Sequence, residues 1–275
     1  FSCDPQTLMP YIPHTSKDTE EMLQAIGVER IEDLFEAVPS SLLETKEYHL
    51  PAGLCEQETR QHVSAIAAKN WIPKISFLGG GLYHHSIPEH VTNVGTRSEF
   101  FTAYTPYQPE ISQGILQAIF EYQTMMVRLT GLGATNASMY DGSSATGETC
   151  LMAANITDRK KILVGRNVHP QYREVMQTYC NGKDLVIEEV PFDMASGRVD
   201  DGKLSAMLTE DVAGVFVQSP NFFGVIEDMK KLSDMAHEKG AVSVQIITEA
   251  LSLGVLTPPG ENGVDIAVGE GQSFG

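Results

Sequence analysis

The sequence predicts an α/β domain built on a mostly parallel sheet with helices on both faces. Three observations lead there. Short apolar runs of strand length recur through the second half of the chain. Segments of helical periodicity separate them, so each strand is followed by a crossover. The runs are apolar nearly throughout, without polar alternation, as strands buried on both faces require.

The elements follow in order. Pro5, Pro10 and Pro13 keep residues 1–15 extended. Thr15 caps a helix carrying Met22, Leu23 and Ile26, with Asp18 in a capping-box role, and Gly27 ends it. Ile31, Leu34, Phe35 and Val38 mark a short helix closed by Pro39, and Glu56 to Ala68 form another with Val63, Ile66 and Ala67 on one side. Residues 1–74 therefore read as an N-terminal arm and helical extension, and 75–275 as the large α/β domain. Gly79, Gly80 and Gly81 permit a tight turn but match neither a dinucleotide fingerprint nor a P-loop. His84, His85 and His90 follow. Adjacent histidines share no helix face, and no carboxylate pattern completes a metal site, so no metal is expected.

The clearest helix comes next. Ile111, Ile115, Ile119, Tyr122, Met126 and Leu129 repeat at helical spacing and Gly131 stops the pattern. Tyr140 to Glu148 then open a second helix through a turn rich in Gly, Ser and Thr. Its first-turn N–H groups and hydroxyls suit an anion such as a phosphate; the alternative is that Asp141 or Ser143 simply caps the helix. Strands follow at Lys161–Val164, Leu185–Val190, Val212–Gln218, Ala241–Ile247 and Val264–Val268, with helices between the first four at 167–179, 204–208 and 228–239. Ligands of such sheets bind outside the carboxyl ends of the strands, here near Asn167, Ser219–Asn221, Thr248–Glu249 and Glu270–Gln272.

Composition limits the partners. A formal charge of -17, from 19 basic and 36 acidic residues among 275, argues against a broad nucleic-acid surface. No run is long enough for a membrane span. Cys3, Cys55, Cys150 and Cys180 are too scattered for a zinc knuckle or a redox pair, and fit free thiols in a reducing, cytoplasmic setting. The chain opens at Phe1 and closes just after a strand, so it is expected to continue at both ends.

Several residues could touch a ligand. His169 lies after a strand, where an imidazole could stack on or bond to a ligand, or be satisfied within its loop. Asn221 could bond a ligand's polar edge; a turn set by Pro220 and Asn221 explains it equally well. Tyr104 and Tyr107 flank Thr105 and Pro106 in a stiff, partly apolar loop suited to an active-site lip or an interface. No serine has nucleophile-elbow surroundings and no phosphoryl-transfer motif is present. Pyridoxal chemistry needs a lysine to hold its cofactor, yet none follows the last strand, and Lys160, Lys161 and Lys239 sit at strand entrances.

The segments YTPYQPEISQG, EYQ, NASMYDG, QSPNFFGVIED and PPGENGVDIAVGEGQSFG together resemble the P-protein family of the glycine cleavage system, in its split, subunit-1 form, from Met9 to Gly275. The resemblance implies the aminotransferase-like fold of type I pyridoxal-phosphate enzymes, with the rest of the large domain and a small C-terminal domain beyond Gly275. It implies an enzyme that decarboxylates glycine and passes the aminomethyl group to the lipoyl arm of an H-protein. Two homologous halves assemble as a dimer of alpha–beta pairs, and the beta half carries pyridoxal phosphate on a lysine. In this chain Gln272 stands at that lysine's place, and an amide cannot capture the cofactor, so this half is expected to be non-catalytic by itself. The same resemblance puts Asp141, Ser143, Ser144 and Thr146 where a type I enzyme holds phosphate, as ligand or interface contacts beside His169 and Asn221. It makes Tyr104, Tyr107 and Gln108 the side chains that complete the partner's pocket. Ile246–Leu251 departs from the Val-Ala-Asp-Pro-Leu-like segment expected there, the proline being gone. Two other readings stay open: an independent pyridoxal enzyme with an unrecognised lysine, and a binding or regulatory protein that keeps the fold.

Overall fold

A computed structural model describes residues 14–43, 50–80, 83–100 and 105–274. The chain divides into two compact units, Phe1–Phe77 and Leu78–Gly275.

In the first unit, helix α1 spans Ser16–Ile26 and α2 spans Glu56–Ala67. Thr15 and Asp18 form the reciprocal capping box, and Gly27 closes α1 in the left-handed region at φ 89°. The short helix marked by the apolar spacing is present at Ile31–Phe35, as a 3-10 helix. Asp33 draws the backbone N–H and guanidinium of Arg30 to itself, which fixes the tight turn.

The second unit carries the sheet. After α3 (Glu89–Gly95) comes α4 (Gln113–Thr130), ended by Gly131 at φ 68°. Ile111, counted in the helical stripe, lies in the turn before it and is exposed. No residue of α4 is fully buried, so its apolar stripe is only partly covered. Helix α5 (Gly142–Thr157) leads into strand β1 (Lys161–Gly165). Then follow α6 (Pro170–Asn181), β2 (Val186–Val190), α7 (Asp201–Met207), β3 (Val212–Gln218), α8 (Met229–Glu238), β4 (Val242–Ile247) and β5 (Ile266–Gly269).

The five strands are ordered β2-β1-β3-β4-β5 and every pair is parallel. Apolar side chains go to both faces. Ile162, Val164, Phe216, Val244 and Ile246 meet Cys150, Ala153 and Met176 of α5 and α6 on one side. Leu163, Val215 and Val217 meet Leu204 of α7 and Met229, Leu232 and Ala236 of α8 on the other. All seven residues of β3 are buried, as its continuous apolar run requires. Among the described residues no helix is long and apolar enough to cross a membrane.

Candidate functional site

The strand order reverses at β1. The chain steps from β1 outward to β2, then returns past β1 to β3. The carboxyl ends of β1 and β3 therefore flank a topological switch point, where open parallel sheets place their ligands. Here the chain's own groups bridge that crevice. Gln218, the last residue of β3, accepts from the His169 backbone N–H at 2.7 Å and donates to the Pro220 carbonyl at 3.0 Å and the Thr248 hydroxyl at 3.1 Å. The Phe222 N–H donates to the Asn167 carbonyl at 2.9 Å.

The start of α5 faces the same edge. Asp141 is its N-cap: one carboxylate oxygen accepts from the Ser144 N–H at 2.7 Å and the other from the Ser143 hydroxyl at 2.9 Å. Ser144 returns the bond, its hydroxyl accepting from the Asp141 N–H at 3.2 Å. Thr146 is buried and its hydroxyl donates back to the Gly142 carbonyl at 2.7 Å. The Ser144 hydroxyl and N–H, with Ser143, hold the Asp141 carboxyl below its ordinary value. We expect Asp141→Ala to cost about 1 kcal/mol, or roughly 2–4 °C in melting temperature for a domain of this size. A depressed carboxyl contributes above its unfolded value and loses that contribution as pH falls through the folded one, so the deficit should fade in acid; a deficit that grows in acid contradicts the capping role.

Beyond the cap, Glu270 reaches back from the end of β5. Its Oε1 accepts from the Gly142 N–H at 2.8 Å and from the Tyr172 hydroxyl at 2.9 Å. Burial first, then the charge of Glu270, pushes the Tyr172 phenol well above its ordinary value, which keeps it a donor. The approach is close. A Cβ added at Gly142 would lie 2.4 Å from the Tyr172 oxygen and 2.9 Å from Glu270 Oε1, so only glycine fits.

His169 caps α6 through its Nδ1, which accepts from the Gln171 N–H at 3.2 Å, while Nε2 bonds the Gly80 carbonyl. Phe222 meets the imidazole edge-on at 5.2 Å between centroids and Tyr172 lies 5.4 Å away, leaving the residue 9% exposed. At the end of β4, Glu249 pairs with His85 Nε2 at 2.8 Å and accepts from the Leu251 N–H at 3.1 Å. Burial raises the Glu249 carboxyl, but the Leu251 and His85 bonds, with others, outweigh it and hold the group below its ordinary value.

Asn221 is 3% exposed and spends its amide inside the chain. Its oxygen accepts from the Phe223 and Val225 N–H groups at 3.0 and 3.1 Å, and its nitrogen donates to the Gly197 carbonyl at 2.9 Å and to Glu227 at 2.8 Å. Asn167 donates to the same Glu227 oxygen at 2.6 Å. The geometry thus gathers Asp141, Ser143, Ser144 and Thr146 at the α5 start, with His169 beside them through Tyr172. Tyr107 and Gln108 stand exposed on the loop before α4, Tyr107 at 87%. Tyr104 lies outside the described residues. Gln272 is exposed and opens a 3-10 turn, Gln272–Phe274, after β5. Tyr172 and Glu227 were not singled out from the sequence, and Glu270 entered only as part of a strand-end segment; each acts through a partner distant along the chain, which local pattern does not report.

Residues 9–275 match the glycine cleavage system P-protein family. The chain belongs to that family. This P-protein chain is 49% identical over 267 residues to the probable glycine dehydrogenase (decarboxylating) subunit 1 of Moorella thermoacetica, covering 97% of itself and 59% of the relative. The corresponding Geobacillus kaustophilus protein is 50% identical, with 96% and 59% covered. A crystal structure of glycine decarboxylase (P-protein) of the glycine cleavage system, in inhibitor-bound form, superposes with a TM-score of 0.86 at 44% identity, covering 97% of this chain and 59% of that one. The P-protein chain thus spans about three-fifths of the length of these relatives. Its fold is the aminotransferase-like fold of type I pyridoxal-phosphate enzymes.

The residues at the strand ends of this P-protein chain do not fit pyridoxal phosphate. The residues after β5, Glu270 to Phe274, include an amide, Gln272, and no lysine. The Gly142 N–H, a first-turn donor open to an anion, is given to Glu270, and the Glu270 carboxylate and Tyr172 hydroxyl leave no room for even a Cβ at Gly142. His169 and Glu249 are engaged by Gly80 and His85.

Proposed function

We propose that this chain is the cofactor-free half of a two-chain glycine decarboxylase. In this reading a homologous beta half binds pyridoxal phosphate, glycine loses carbon dioxide there, and the aminomethyl group passes to the lipoyl arm of an H-protein. The observation that carries the reading is the match to the P-protein family from residue 9 to 275 together with an amide, Gln272, and no lysine after β5; the reading takes Gln272 to stand where the beta half has its lysine. An amide nitrogen is not nucleophilic toward an aldehyde, so this half supplies no covalent anchor.

What the chain contributes is shape and exclusion of water. The loop Thr105–Ser112 is braced by its own turns: the Tyr107 N–H donates to the Thr105 carbonyl at 2.9 Å, and the Ser112 N–H to the Pro109 carbonyl at 3.2 Å. Tyr107 and Gln108 project from it and, with Tyr104, complete the partner's pocket and keep water from the reacting carbon. Asp141, Ser143, Ser144 and Thr146 hold the α5 start in one conformation.

The test is glycine–bicarbonate exchange by a full-length form of this chain, with and without the beta half. Exchange is expected only when the two are mixed. Robust exchange by this chain alone overturns the reading, as does a lysine in it that borohydride reduction marks with the cofactor.

A further inference from the structure

We propose that Glu270 is a built-in plug: its carboxylate takes the seat of a phosphate at the α5 N terminus, so this half rejects phosphorylated cofactors even before the missing lysine matters. The proposal rests on the reading above only in treating the strand ends as a cofactor cleft of the type I plan. The loss of a lysine removes a covalent bond. It does not by itself empty a phosphate seat, because a helix N-terminus with hydroxyls nearby still attracts anions. Something else must close it here, and the contacts identify that group.

Glu270 Oε1 accepts from the Gly142 N–H at 2.8 Å, the bond a phosphate oxygen would make, and from the Tyr172 hydroxyl at 2.9 Å. A second carboxylate, Asp141, takes the Ser144 N–H and the Ser143 hydroxyl. Two N–H groups of the first turn, those of Gly142 and Ser144, are thereby taken by two anionic side chains of the chain itself. An incoming phosphate meets negative charge instead of the helix's positive end. It also meets an occupied position, since Glu270 Oε1 already sits 2.8 Å from the Gly142 nitrogen, where a phosphate oxygen would have to be. The plug is anchored from behind as well: the Glu270 N–H donates to the Ile247 carbonyl at 3.0 Å, continuing the β4–β5 ladder, so the side chain starts from a fixed point.

The prediction is that removing this one carboxylate opens the seat. Inorganic phosphate is titrated into the full-length chain as wild type, Glu270→Ala and Glu270→Gln, at ionic strength matched with chloride. Binding is followed by calorimetry and by the melting temperature. The wild type should show no phosphate-dependent rise. Glu270→Ala should bind phosphate at least about ten-fold more tightly than the wild type, because space and charge are both released. Glu270→Gln keeps an oxygen for Gly142 and Tyr172 and so keeps the fold, but loses the charge; it should fall between the two. If Glu270→Ala does not fold, the glutamine variant decides. Phosphate binding by the wild type as tight as by the variants overturns the plug, and so does a folded variant that gains nothing. The titration needs no beta half. A plug that opens while mixed chains stay inactive separates this proposal from the subunit reading, and the converse result separates them too.

Discussion

Replacing Glu227 by alanine should lower the melting temperature of the chain by roughly 10 °C, from a loss of about 4 kcal/mol in the α/β unit. Glu227 is 6% exposed and precedes α8. Its carboxylate is the common acceptor for the Asn167 amide at 2.6 Å, the Asn221 amide at 2.8 Å and the Val199 N–H at 3.2 Å. These donors come from the ends of β1 and β3 and from the segment before α7, so one side chain ties three crossovers together. Alanine leaves buried donors without an acceptor, and each costs about 1–3 kcal/mol. Burial lifts the Glu227 carboxyl above its ordinary value, although the Asn221, Val199 and Asn167 donors oppose it. A carboxyl raised in the folded state contributes fully below its unfolded value and loses that contribution as pH rises through the folded one. The gap between wild type and Glu227→Ala should therefore be widest in acid and narrower, though still present, at neutral pH. Thermal unfolding across pH checks both statements. A shift below about 2 °C, or a gap that widens toward neutrality, would mean that the network does not carry this part of the fold.

That network also marks where sequence reading runs out. Val212–Gln218 was legible because a strand buried on both faces must be apolar throughout, and the observed β3 has those bounds. The helix ending at Gly131 was legible because local spacing and a left-handed stop are written in neighbouring residues. The Thr15–Asp18 capping box is local in the same way. Asn221 illustrates the opposite case. Its place after a strand suited both a ligand contact and a turn, and only the contacts of the folded chain show that both ends of its amide are taken within it. His85 and Glu249, 164 residues apart, meet because the segment before α3 reaches the end of β4. Glu270 and Gly142, 128 apart, meet because α5 packs on β5 although it precedes β1 in the chain. Periodicity tells which face of an element is apolar. It does not tell which polar residue of a distant element will stand opposite.

On the proposal that this chain is one half of a two-chain glycine decarboxylase, Tyr107→Ala should lower the turnover of the mixed halves about a hundred-fold, close to 2.7 kcal/mol in the activation barrier, while their association is nearly unchanged. The argument starts from cost. A tyrosine 87% exposed gives up little when truncated within its own chain, so natural stability offers no reason for it. Pro106 before it and Pro109 after it stiffen the loop, and the Thr105–Tyr107 and Pro109–Ser112 bonds fix its turns. A large ring held out on a stiff loop is suited to filling a neighbour's cavity with small entropic loss. If the ring excludes water at the partner's reacting carbon, its removal admits solvent and slows the chemistry more than it weakens assembly. Tyr107→Phe separates the ring from the hydroxyl: shielding by the ring predicts turnover near wild type, whereas a hydrogen bond from the phenol predicts a loss like that of alanine. Sedimentation of the mixed halves, measured beside turnover, keeps assembly and chemistry apart. An alanine variant that assembles and turns over within two-fold of wild type would remove Tyr107 from the pocket and leave its exposure without a functional account.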